Sequence, residues 1–180
     1  MRIALWPVLP LALVLGAGDA AGQTQAGPEV FGHAGYARSD DDEGWIGSGV
    51  HAGGGLGYRL SRRWSVQAAF DVIHHERDRH GFRARGRARF LMGNVVLHFL
   101  PKRRAQPYVL AGPGLVRYTN QLLDDTSTGF ALNVGLGVRT HVTQRFFLCP
   151  EVRLFLGTPG RRVVDNLQVV TVSFGGGFAW

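Results

Sequence analysis

His141, Thr143 and Glu151 bring together an imidazole, a hydroxyl and a carboxylate within eleven residues, the three side-chain types that hydrolytic triads use. A triad works only if the base can reach the hydroxyl and the acid can orient the base. His74, His75 and His80 supply imidazoles suited to zinc or nickel, but their spacing matches no closed four-ligand site. Between His80 and Phe90, Arg83, Arg85, Arg87 and Arg89 recur every second residue. On a strand they share one face, where guanidinium groups can grip phosphate as bidentate donors. Cys149 is the single cysteine, so no intrachain disulfide and no thiolate metal site can form. The many glycines never fall into a phosphate-cradling motif followed by a helix, and the lone lysine, Lys102, lies in PKRRAQ rather than in a Walker sequence. No cofactor site is expected.

What must position these residues is a series of strands. In the stretch 167–180, LQVVTVSFGGGFAW, Val170, Val172, Phe174, Phe178 and Trp180 fall on one side and smaller, more polar residues on the other. Strand-like stretches bounded by turn signals fill the rest: 29–38, 46–60, 64–74, 87–100, 107–118, 129–141 and 145–157. The connections are expected to alternate, longer then shorter, with 75–86 a long charged loop and 120–128 a polar one. A bare apolar strand at a chain end invites aggregation in water. A barrel closed in a membrane removes that edge and gives aromatics an interface to sit in. The expected fold is therefore all-β, an eight-stranded antiparallel up-and-down transmembrane β-barrel, with both ends of the chain on the periplasmic side.

Composition agrees. The 180 residues are enough for one domain, the mean hydropathy is −0.01, and 26 glycines allow the bends and close approaches a barrel needs. The formal charge of +7 is almost entirely arginine, which points to acidic partners or to a coding bias. The start of the chain has the three-part layout of a secretory signal peptide: Met1-Arg2, the apolar run 3–16, then small residues. Cleavage is expected after Ala20 or Gly22, and the division of the chain is a leader over 1–22 and a barrel domain over 23–180. Export argues against a nucleic-acid role despite the charge.

The leader, GGGLGYRL at 53–60, GNVVLHFLP at 93–101, PYVLAGPGLVRY at 107–118 and VSFGGGFAW at 172–180 together resemble the outer-membrane β-barrel family of OmpA/OmpX-like transmembrane domains and opacity-type adhesins of the porin family. The resemblance covers essentially all of the mature chain. It implies a non-enzymatic integral protein of the Gram-negative outer membrane, contributing to envelope structure and to adhesion through extracellular loops. Its partners would be outer-membrane lipid, lipopolysaccharide, the barrel-assembly machinery and a host or surface ligand, and it would act as a monomer. Phe174, Phe178 and Trp180 resemble the C-terminal signal that assembly machinery reads. The pair His141-x-Thr143 resembles the His-x-Ser pair of outer-membrane lipid A deacylases, with threonine for serine and at a turn on the wrong side of the membrane.

In such a barrel Arg59, Asp71, Arg117, Arg139, Glu151 and Arg153 are expected to point inward and fill the lumen with ion pairs, since an unpaired buried charge is costly. A tight turn at Thr143-Gln144 sets Gly137 opposite Glu151 and Gly135 opposite Arg153, with Arg139 a diagonal neighbour of Glu151. Arg83, Arg85, Arg87 and Arg89 are expected outside, at the outer rim, in contact with lipopolysaccharide. Tyr58, Trp64, Phe99, Tyr108, Phe146 and Trp180 would form the inner aromatic girdle; Tyr36, Trp45, Tyr118 and Phe130 would form the outer one. Alternation leaves a second architecture open, a secreted lipocalin-like barrel with its apolar face around a small ligand. The two differ in which face is outside.

Overall fold

The computed structural model describes residues 26–40, 47–79, 82–101, 103–120, 125–158 and 167–180, with backbone alone at 40, 75–79, 82–85, 120 and 125. Eight strands follow one another: β1 (Gly27–Asp40), β2 (Ser48–Arg59), β3 (Trp64–Arg79), β4 (Phe82–His98), β5 (Ala105–Asn120), β6 (Asp125–His141), β7 (Phe146–Thr158) and β8 (Leu167–Ala179). Each pairs antiparallel with its neighbour, and β1 pairs with β8 from Glu29↔Ala179 to Asp40↔Gln168, so the sheet closes. Closure satisfies both edges of every strand, which an environment without water demands.

Two expected loops are strand instead. β3 and β4 stay paired through the segment read as a charged loop, out to Arg79↔Phe82. β5 and β6 likewise pair out to Asn120↔Asp125. The connections therefore do not simply alternate in length. The asymmetry between the two ends of the barrel lies in hairpins that run on past the apolar belt. Charge does not break a strand while its hairpin partner continues the ladder, as β3 and β4 do beyond the His75↔Gly86 pair, because backbone pairing is indifferent to side-chain polarity.

The apolar face is outside all round: Tyr36, Leu56, Phe70, Leu91, Leu115, Phe130, Leu136 and Phe174 are among its exposed members. On β8 this face runs from Val170 to Trp180, about ten residue steps, which at about 3.3 Å each and a tilt near 40° is roughly 25 Å of height. That is the height of an outer-membrane apolar band. Tyr58, Trp64, Phe99, Phe146 and Trp180 are exposed toward the end that carries the chain termini, with Tyr36 and Phe130 toward the other; Trp45 lies outside the described residues. The lipocalin-like alternative required the opposite arrangement.

β5 corrects the face reading. Tyr108, Leu110, Val116 and Tyr118 point inward and are buried, while Arg117 is exposed on the outer face with Leu115. Both faces of β5 are rich in apolar residues, so alternation alone does not orient it. The structure turns inward the face whose phenol finds a carboxylate, and leaves in contact with solvent or headgroups the arginine that would have no interior partner. The lumen is also not uniformly charged. Ile73, Phe90, Met92, Val116, Phe155 and Leu167 belong to an apolar plug toward the end away from the termini.

Candidate functional site

The polar part of the lumen is held by three arginines and three carboxylates, all buried: Arg59, Arg139 and Arg153 with Glu29, Asp71 and Glu151. Asp71, 0% exposed on β3, is the hub. Its Oδ1 lies 2.7 Å from His33 Nε2 and 2.8 Å from His51 Nε2, and its Oδ2 accepts from Arg153 Nη1 at 3.3 Å. Arg153 also donates from Nε (2.8 Å) and Nη2 (2.6 Å) to Glu151 Oε1, whose other oxygen accepts from the Tyr108 hydroxyl at 2.8 Å. A second group lies nearer the termini. Arg139 grips Glu29 with both terminal nitrogens, at 2.6 and 3.1 Å, and stacks over Phe147 at 4.1 Å from the ring centre. Gln67 adds a third donor to Glu29 at 3.1 Å.

Register explains why these groups fit. Gly137 lies opposite Glu151 and Gly135 opposite Arg153, and a Cβ at Gly137 would sit 2.6 Å from the Tyr108 hydroxyl. A Cβ at Gly53 would press on Asp71 Oδ1 and on His33 Nε2. Where large polar groups cross the lumen, the facing strand has no side chain.

Two of the expected interior residues have other partners than expected. Arg139 pairs with Glu29 across the lumen rather than with its diagonal neighbour Glu151. Arg59 is buried, but its hydrogen-bond partners among the described residues are neutral: Gln106 Oε1 at 3.4 Å and the His98 ring at 3.2 Å, with Ser65 Oγ 3.0 Å from the same ring. Glu29, His33, His51 and His98, which the sequence does not mark as lumen residues, carry much of the network with Tyr108, expected in the girdle instead. For His51 the signal was present. It shares a face with Gly53, Gly55, Gly57 and Arg59, and a face of alternate glycines ending on arginine must make room for something.

His33, His51 and Asp71 place one ligand atom each within 4.8 Å of one another, a geometry that three metal ligands share. Their surroundings favour hydrogen bonding instead. Both imidazole Nε2 atoms already bond to Asp71 Oδ1, the Arg153 guanidinium occupies the other carboxylate oxygen, and His51 Nδ1 has no partner, whereas a ligating imidazole donates from its second nitrogen. Of the loop histidines, His74 is exposed on β3, the side chain of His75 is not described, and His80 lies outside the described residues.

The hydrolytic set is not assembled. Thr143 Oγ1 accepts from the backbone nitrogens of Arg145 and Phe146, at 3.3 and 2.9 Å, and so caps its turn. Glu151 is committed to Arg153 and Tyr108. His141 packs beside Phe147, 6.1 Å between ring centres, with its Nε2 unpartnered. Cys149 is half-buried against both interior clusters of the lower lumen.

On the outside, Arg87 and Arg89 lie on the lipid-facing side of β4, and Arg83 and Arg85 occupy the same face by register. At the other end, Phe174 and Trp180 are exposed, and Phe178 and Trp180 meet edge to face at 5.3 Å.

No relative among curated proteins matches the sequence. Solved structures do. Neisserial surface protein A superposes with a TM-score of 0.74 at 20% identity, covering 85% of this chain and 97% of that one. Ail, the attachment invasion locus protein of Yersinia pestis, solved with the heparin analogue sucrose octasulfate, gives 0.54 at 16% identity over 86% and 99%. The N-terminal β-barrel domain of Pseudomonas aeruginosa OprF gives 0.53 at 19% identity over 87% and 100%. At these identities the likeness is one of fold: closed eight-stranded outer-membrane barrels. The sequence itself matches the outer membrane protein beta-barrel domain over residues 8–178, a span that reaches from ahead of β1 into β8, and the chain therefore belongs to that family and resides in the outer membrane.

Proposed function

We propose that this protein is a non-enzymatic, monomeric barrel that strengthens the envelope and presents its outer hairpins for surface interaction and adhesion. The chain termini lie on the periplasmic side, and β3–β4 and β5–β6 project outward. Arg83, Arg85, Arg87 and Arg89 contact lipopolysaccharide, and the assembly machinery reads Phe174, Phe178 and Trp180.

The observation that carries this reading is the filled lumen. The cavity lined by His33, Tyr108, Arg139, Glu151 and Arg153 has about 10 Å³ for the centres of water-sized spheres, room for one water. Among the described residues, a lumen this full supports a role for the surface over one for the interior. The test pairs two measurements. Purified protein in planar bilayers is expected to show no steady large conductance. Displayed on a non-adherent Gram-negative host, it is expected to raise attachment to heparin or matrix-coated surfaces, and cutting the β3–β4 hairpin back to a tight turn just beyond the His75↔Gly86 pair is expected to remove the gain. Steady channels, or lipid A deacylation that His141→Ala abolishes, would overturn the proposal.

A further inference from the structure

The four arginines of β4 do not stand in equivalent surroundings. Arg83 and Arg85 occupy positions directly opposite Asp78 and Glu76 on β3. Arg87 and Arg89 stand opposite His74 and Val72 on that side. On the other side, Arg87 meets Thr119 and Arg89 meets Arg117. The outward turn of Arg117 thus creates a like-charge pair whose side chains start about 5 Å apart, an arrangement that destabilises a sheet unless something negative lies between. Among the residues whose side chains are described, no carboxylate shares the outer face of β3 to β6; Glu76 and Asp78 occupy that face only farther out, opposite Arg85 and Arg83, and Arg87 Nε is buried without a hydrogen-bond partner.

Position tells what kind of anion fits. Arg89 is two residues above Leu91, Arg117 two above Leu115, and Phe130 lies at the same level on β6, two residues below Thr128, which faces Arg117. The patch therefore sits where the apolar band gives way to headgroups. Guanidinium groups and threonine hydroxyls side by side are donors for a tetrahedral oxyanion. We propose that Arg87, Arg89 and Arg117, flanked by Thr119 and Thr128, form a binding site for the phosphate of a lipid headgroup, and that Arg83 and Arg85, which stand opposite Asp78 and Glu76 by register, lie outside it. This rests on the reading that the outer rim contacts lipopolysaccharide, and narrows that contact to one phosphate site spanning β4 and β5.

The test uses the full barrel in phosphatidylcholine nanodiscs doped with bisphosphorylated or dephosphorylated lipid A, scoring lipid retained per barrel by mass spectrometry. Wild type is expected to prefer the phosphorylated lipid by about tenfold or more, and R89Q/R117Q to lose that preference. R83Q/R85Q is expected to stay within about twofold of wild type. R89K/R117K keeps the charges and reports on folding; loss of a few-fold is expected because lysine lacks the planar fork. Full retention by the lysine variant would mean general charge and not a built site, and would overturn the assignment. Equal or greater loss in R83Q/R85Q would overturn it too, while leaving the lipopolysaccharide reading intact. A wild type without preference for phosphorylated lipid would sink both. Displacement of the lipid by millimolar inorganic phosphate would show a free-anion site and overturn the lipid assignment.

Discussion

Replacing Arg153 with methionine tests whether the lumen is dry and its charges mutually dependent. Arg153 is 1% exposed, and it contacts Glu151 Oε1 at 2.6 Å and Asp71 Oδ2 at 3.3 Å. Methionine keeps most of the stem that lies against Gly135 and loses the guanidinium over Phe155, so the change removes chiefly the charge. Removing one member of a buried ion pair leaves its partner uncompensated, at about 3–5 kcal/mol. Here Asp71 keeps two imidazoles and Glu151 keeps the Tyr108 hydroxyl, which places the expected loss near the lower limit, about 3 kcal/mol. The double variant Arg153→Met with Glu151→Gln removes one of the stranded carboxylates. It is expected to cost less than the sum of the single changes by about 1–3 kcal/mol. Urea unfolding of the barrel in lipid vesicles, followed by tryptophan fluorescence and by migration of unboiled samples on gels, measures both. A water-permeated lumen would screen the pair to the value of a surface bridge, about 0–1 kcal/mol. A loss in that range, or simple additivity, would refute the reasoning.

Tyr108→Phe removes one donor from Glu151 without changing ring packing, and is expected to destabilise by about 1–2 kcal/mol in the same urea assay. Gly53→Val drives a side chain into Asp71 Oδ1 and the His33 ring; overpacking of this kind costs about 1–3 kcal/mol, and the unboiled gel band is expected to shift toward the unfolded position. Leu100, in the turn between β4 and β5, has φ of 51°, so Leu100→Gly is expected to raise the urea midpoint by relieving about 1 kcal/mol of backbone strain. Truncation of Trp180 is expected to lower the yield of folded barrel in cells several-fold while leaving detergent refolding of purified protein intact; equal yields in cells would remove the C-terminal signal from the account.

How much could be read in advance depended on contrast between the two faces of each strand. β6 and β7 set clean apolar runs against Gly135, Gly137, Arg139, Glu151 and Arg153, and their register across the Thr143-Gln144 turn follows directly. β5 offered no contrast, since Tyr108, Leu110 and Val116 are as apolar as Val109, Ala111 and Leu115. There the reading of Arg117 as a lumen residue and of Tyr108 and Tyr118 as girdle residues went wrong. The outer part of the β3–β4 hairpin is hidden for a related reason: its charge resembles that of a loop, whereas a paired strand beyond the membrane tolerates it.

The sequence by itself determined strand number, closure, the lipid-facing side of most strands and the outer-membrane setting, because a two-residue period and the need to satisfy every backbone group in lipid are local rules. Only the tertiary structure decided the partners: Arg139 with Glu29, Arg153 with Asp71, and Arg89 beside Arg117. Two of these pairs cross the lumen between strands that are not neighbours, and the third hangs on which face of β5 turns outward. All three are set by the closed barrel as a whole, which no single strand encodes.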